Sequence, residues 1–144
     1  QSSNFRHIEY AGVDINRYMI AACLQKFPHQ PEMFSTGNKP SSIVDFCLFS
    51  GTFNLTHSDN PTMWSNYIFS SLERCMKHAR YGLILNLLCA PNAKIQKQIF
   101  YANRAEFIQR AQAQLGPTRA RSTQHVTGGD TSFTITHMPP ENIS

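Results

Sequence analysis

Asp14 closes the run Tyr10-Ala11-Gly12-Val13-Asp14-Ile15, and a helical pattern begins at once with Asn16-Arg17-Tyr18-Met19-Ile20. An acid at the carboxyl end of a strand in an open α/β sheet stands where both hydroxyls of a ribose can donate to one carboxylate. An Asp just before a helix is equally an ordinary N-terminal cap. The other candidate chemistry is thin. Six histidines, His7, His29, His57, His78, His125 and His137, are scattered, and none joins a cysteine at metal-ligand spacing. Cys23, Cys47, Cys75 and Cys89 lie on apolar faces or in apolar runs with no CxxC pair. They read as buried free thiols of a reducing, cytoplasmic compartment rather than a disulfide framework.

The elements that would hold Asp14 alternate strand and helix. His7 to Ile15 reads as a strand, and Asn16 to Phe27 as a helix with Ile15, Met19, Ala22, Cys23 and Phe27 on one face. Pro28 and Pro31 end that helix, Glu32 to Thr36 is a short strand, and Gly37-Asn38-Lys39-Pro40 a turn. Ile43 to Phe49 reads as a strand buried on both faces, as in parallel sheets. A polar loop, 50–60, leads to a helix opened by Pro61 and capped by Asp59 or Asn60, its stripe Trp64, Ile68, Leu72, Cys75, Met76 and Ala79. Tyr81 to Leu88 is another buried strand, and a helix from Asn103 to Leu115 stops at Gly116-Pro117. Arg119 to Thr127 and Thr131 to Met138 alternate around Gly128-Gly129-Asp130, an antiparallel hairpin signal.

The 144 residues are the size of one domain, and 41% hydrophobic content suffices for a core. No apolar run approaches the roughly 20 residues of a membrane span. The net charge of +4 is spread along the chain. Arg74, Lys77 and Arg80 on one helix, with Arg119 and Arg121 on a strand, are the basic groups a nucleic-acid reading would use. They lack interleaved aromatics, and that reading ranks last.

Strand–helix units finished by an antiparallel hairpin resemble the class I S-adenosylmethionine-dependent methyltransferases, and in particular a group of small bacterial-type enzymes. The resemblance rests on Gly12-Val13-Asp14-Ile15, Met19-Ile20, Phe27-Pro28, Gly37-Asn38, Ser50-Gly51-Thr52-Phe53-Asn54 and Leu85-Asn86-Leu87-Leu88, in that order. It implies a Rossmann-like α/β sheet, mostly parallel with a C-terminal antiparallel hairpin and incomplete at its N-terminus. Residues 1–138 would then be a partial domain and 139–144 a frayed tail. By the same resemblance, Asp14 holds the cofactor's ribose and Ile15 packs on the adenine. Asn38 stands where the family has an acid beside the adenine amino group. Ser50 and Gly51 lie by the cofactor, and Phe53 and Asn54 by the acceptor. Phe53 as a core aromatic, and Asn38 and Asn54 as turn residues, are the plain alternatives.

The family's first strand and Gly-rich loop have no counterpart here. None of the seven glycines forms a GxG between a strand and a helix. That first strand is central in the family's sheet, so its absence separates the second and third strands from the rest. An N-terminal segment, a second chain or a homodimer is expected to complete the sheet, and the non-Met start at Gln1 points to a piece of something longer. The resemblance implies methyl transfer from S-adenosylmethionine to an acceptor, by default a small molecule. The alternative is a non-catalytic methyltransferase-like module for binding or scaffolding.

Overall fold

Asn16 sets where the first helix starts. The computed structural model describes residues 7–122 and 129–138, and the chain divides into two units, Gln1–Ser41 and Ser42–Ser144. In the first unit, β1 (Gly12–Asp14) leads to α1 (Arg17–Lys26), a 3-10 turn at Pro31–Met33, and β2 (Phe34–Thr36). β1 and β2 run parallel, with Gly12 opposite Phe34 and Asp14 opposite Thr36. The strand expected from His7 shrinks to Gly12–Asp14, because β2 supplies partners for only three residues.

The face of α1 also differs from expectation. Asn16 caps the helix, its side chain accepting from the Tyr18 N–H at 2.9 Å, so Ile15 lies outside it. Ile20 is the buried residue of α1, with Cys23 and Leu24 half-buried at i+3 and i+4, while Met19 and Phe27 are exposed. Phe34 collects aromatic neighbours, with the Tyr10 ring at 6.3 Å and the Phe27 ring at 5.7 Å.

The second unit contains β3 (Val44–Phe49), α2 (Pro61–Met76), β4 (Ala79–Leu88), β5 (Lys94–Gln96), β6 (Ile99–Tyr101), α3 (Arg104–Gln114), β7 (Thr118–Ser122) and β8 (Asp130–Thr136). Its main sheet has the order β3-β4-β8-β7, with β3 and β4 parallel and the other pairs antiparallel. The C-terminal hairpin is therefore present over Thr118–Ser122 and Asp130–Thr136. Its expected turn at Gly128, the stretch up to Thr127 and the tail 139–144 lie outside the described residues. Among the described residues, β1 pairs only with β2, and β3 only with β4.

The helices supply a core to one face of this sheet. Ile68, Phe69, Leu72, Cys75 and Met76 of α2 join Phe107 and Ala111 of α3 against Cys47, Leu83, Leu85, Leu87, Phe133 and Ile135. The Phe107 ring lies 5.1 Å from that of Phe69 and 4.5 Å from that of Phe133. Each such large side chain, fully buried, is worth about 1.5–3 kcal/mol. Contrary to expectation, β3 is not buried on both faces. Cys47 is buried, but Phe46 and Leu48 are 45% and 67% exposed, and Tyr81, packed on Phe46, is 53% exposed. No helix of this unit covers that face among the described residues.

One element escaped the sequence reading. β5 and β6 form a hairpin whose two-residue turn places Lys97 and Gln98 at φ 50° and 63°. Such turns normally announce themselves with Asn-Gly or Gly, and here neither is present.

Candidate functional site

A parallel strand ends with carbonyls and side chains pointing beyond the sheet, and the helix that follows returns from there, so chemistry gathers at that end. Asp14 lies at this end of β1. It is not the helix cap, a role that belongs to Asn16. Its Oδ1 accepts from the Asn16 N–H at 2.7 Å, an Asx-type turn that fixes the carboxylate, while Oδ2 carries no bond to a described residue. The Asp14 carbonyl accepts from the Gly37 N–H at 3.0 Å, which ties the turn after β2 to the end of β1. Asp14, Ile15 and Asn38 are therefore grouped at one end of the β1–β2 pair. Ile15 is 68% exposed, an apolar side chain free to cover a flat ligand.

The loop after β3 is positioned by β4 and β8. Gly51 adopts φ 65° and its N–H donates to Asn86 Oδ1 at 2.7 Å. Asn86 in turn donates from Nδ2 to Asp130 Oδ1 at 3.1 Å, so one amide joins the loop to two strands. Ser50 and Gly51 are exposed at this end of β3. Phe53 is 3% exposed, stacks on Phe49 at 5.3 Å, and its carbonyl accepts from the Trp64 Nε1–H at 2.9 Å. That is the packing of a core aromatic.

Asn54 differs from its neighbours. Its backbone is engaged, the N–H on the Gly51 carbonyl and the carbonyl with the Phe100 N–H, but its buried Oδ1 has no hydrogen-bond partner. A buried acceptor without a donor costs about 1–3 kcal/mol, and such an atom beside an exposed loop invites a donor from outside the chain. Asn86 and Asp130 were missed from sequence as positioning residues. In sequence Asn86 reads only as part of the strand end Leu85-Asn86-Leu87-Leu88, an amide in an otherwise apolar stretch.

The other candidates separate. Arg74 lies in α2, Lys77 is its C-cap, and Arg80 belongs to β4, where it pairs with Asp45 at 2.5 Å. The three do not share a helix. Arg119 and Arg121 are exposed on β7. None of the four cysteines is joined in a disulfide. The Cys47 thiol is pushed far above the usual thiol range by its hydrogen bond with Cys75 and by burial, and desolvation raises Cys89. These two are inert packing groups. No group of three His, Cys, Asp or Glu fit to hold a metal occurs among the described residues. No described helix is long and apolar enough to cross a membrane.

Comparison with known proteins places the architecture. The chain superposes on DhpI, a methyltransferase solved as a complex with SAH, with a TM-score of 0.52 and 10% identity, over 90% of this chain and 67% of that one. The fold is a mixed α/β, Rossmann-like one. A second solved structure, described as a pericyclic reaction enzyme, matches with a TM-score of 0.45 and 9% identity, over 96% of this chain and 45% of that one. No family model matches, and no curated protein does.

Proposed function

We propose that this chain forms the later part of an S-adenosylmethionine-dependent methyltransferase acting on a small-molecule acceptor. The observation that carries the reading is Asp14. Its carboxylate ends a parallel strand with one oxygen locked by the Asn16 N–H and the other open. An acid held this way accepts from vicinal ribose hydroxyls without first losing rotamer freedom. Ile15 provides an apolar platform beside it, and the Asn38 amide lies at the same end. These residues fit a nucleoside.

The cofactor supplies an electrophilic methyl group on a sulfonium leaving group. The chain's own contribution is placement. Asp14, Ile15 and Asn38 of the first unit are assigned to the nucleoside; the second unit carries the loop after β3, from Ser50 to Asn54. The Asn86 amide holds that loop still through the Gly51 N–H. Asn54 Oδ1, buried and without a donor, is assigned to an N–H or O–H of the acceptor, fixing its nucleophile for in-line attack.

A segment or second chain that pairs with the open edges of β1 and β3 belongs to this reading, since each edge offers unpaired backbone groups. The non-catalytic alternative draws on Asn38, an amide where the family carries an acid. Calorimetric titration with S-adenosylhomocysteine tests both. Saturable binding that Asp14→Ala weakens by about tenfold to a hundredfold, the loss of charge-assisted hydrogen bonds, supports the enzyme. A folded chain that binds no cofactor, alone or with its upstream segment, rejects it in favour of the scaffold.

A further inference from the structure

In the Ser42–Ser144 unit, α2 and α3 pack on one face of the main sheet, and among the described residues of that unit no helix packs on the other. Side chains alternate along a strand, so the core residues Cys47, Leu83, Leu85, Phe133, Ile135 and Ala120 fix which of their neighbours face outward. The register then sets one row across the sheet. Leu48 of β3 lies beside Ile84 of β4, Ile84 beside Thr134 of β8, and Thr134 beside Arg119 of β7. Phe46 shares the face of Leu48, with its ring 5.7 Å from that of Tyr81, and Arg121 shares that of Arg119, opposite Ser132. The face therefore grades from apolar at β3, through hydroxyls on β8, to cationic at β7. Three strand spacings of about 4.8 Å put its two edges about 14 Å apart. Phe46, Leu48 and Tyr81 are each 45% or more exposed. Arg119 and Arg121 are exposed too, and their guanidinium groups carry no bond to a described residue. Arg80, by contrast, is paired with Asp45, and the Asp130 carboxylate at the end of this face holds Asn86.

We propose that this face docks an amphipathic helix of a protein partner, its apolar stripe on Phe46, Leu48 and Tyr81 and an acidic flank on Arg119 and Arg121. Backbone bonding decides the element. β4 and β8 are paired on both sides, so their N–H and C=O groups are engaged within the sheet. A partner lying on the face must therefore satisfy its own backbone, as a helix does. The width agrees. A helix with its side chains is about 10–12 Å across, so one seated over β3 and β4 turns a flank toward β7. Charge decides that flank. Two guanidinium groups without a carboxylate partner favour acids, by charge-assisted hydrogen bonds, and a basic flank would meet like charge. A nucleic-acid strand would need its stacking aromatics close to the arginines, whereas Phe46 and Tyr81 stand at the opposite edge. The proposal does not depend on methyl transfer.

The test titrates two helical peptides, each about 18 residues long, into the 144-residue chain and follows its amide chemical shifts. Both carry leucines at helical spacing on an alanine background, one with glutamates along the flank and the other with lysines. The glutamate peptide is expected to bind saturably, with shifts confined to β3, β4, β8 and β7. The lysine peptide should bind about tenfold or more weakly. Arg119→Glu combined with Arg121→Glu should reverse that order, and Leu48→Ser should weaken the glutamate peptide about tenfold. All three positions are exposed, so the variants keep the fold. Absence of saturable binding at roughly 0.5 mM overturns the proposal. So does equal affinity for the two peptides, which would leave an apolar patch alone. Tighter binding of phosphatidylglycerol vesicles or of oligothymidylate than of the glutamate peptide overturns it as well, and makes the face a membrane or nucleic-acid surface.

Discussion

Two asparagines in the second unit illustrate opposite uses of one amide. Asn86 is fully engaged, receiving the Gly51 N–H and donating to Asp130, and its loss would leave a backbone donor without its partner. Asn86→Leu is expected to destabilise the chain by about 1–3 kcal/mol and to loosen the loop after β3, measurable by chemical denaturation and by hydrogen exchange at Gly51. Asn54 is the reverse case, because its buried Oδ1 has no donor. Asn54→Leu should leave stability unchanged or raise it by about 1 kcal/mol while abolishing acceptor turnover in a completed enzyme. A large loss of stability in that variant would show that Asn54 is structural. The place of Asp14 at the end of a strand was legible because a switch from strand to helix can be read in one dimension. Asn86 was not, since its partners Gly51 and Asp130 are distant in sequence and only the fold makes them neighbours.

Elements with strong local chemistry were read close to their true bounds. Asn60 followed by Pro61 marked the start of α2, and the Asn60 side chain does accept from the Met63 N–H at 3.0 Å. Asn60→Ala is expected to cost about 1 kcal/mol, seen as a lowered denaturation midpoint. Long apolar runs likewise gave β3 and β4. Elements without such punctuation were lost or misplaced, as with the Lys97-Gln98 turn and the face of α1. The sequence also hides how closely strands approach. A Cβ at Gly82 would run into the Ile135 carbonyl oxygen across the β4–β8 pair. Gly82→Ala should therefore destabilise by several times the cap's effect, roughly 3 kcal/mol or more, and disturb amides along β8. A neutral Gly82→Ala substitution would contradict the β4–β8 register.

At the scale of the whole molecule, the open edge of β3 and the apolar patch of Phe46, Leu48 and Tyr81 occur together. An uncovered face beside an unpaired edge promotes association. Leu48→Lys should reduce concentration-dependent association in light scattering while shifting the denaturation midpoint by less than about 0.5 kcal/mol, because Leu48 is already mostly in water. If association is unchanged, the patch is not its cause.

The order β3-β4-β8-β7 also has a consequence for synthesis. β8 is the last strand described, yet it lies between β4 and β7. While the ribosome is making α3 and β7, Leu83, Leu85 and Leu87 have a partner along one edge only, and β7 has none. Asp130 pairs with Leu88 across more than forty intervening positions, a delay of a few seconds at about 5–20 residues per second. A nascent chain stalled after Ser122 should therefore remain open to protease at β4 and a target for chaperones. Release of the final strand would close both edges in a single step.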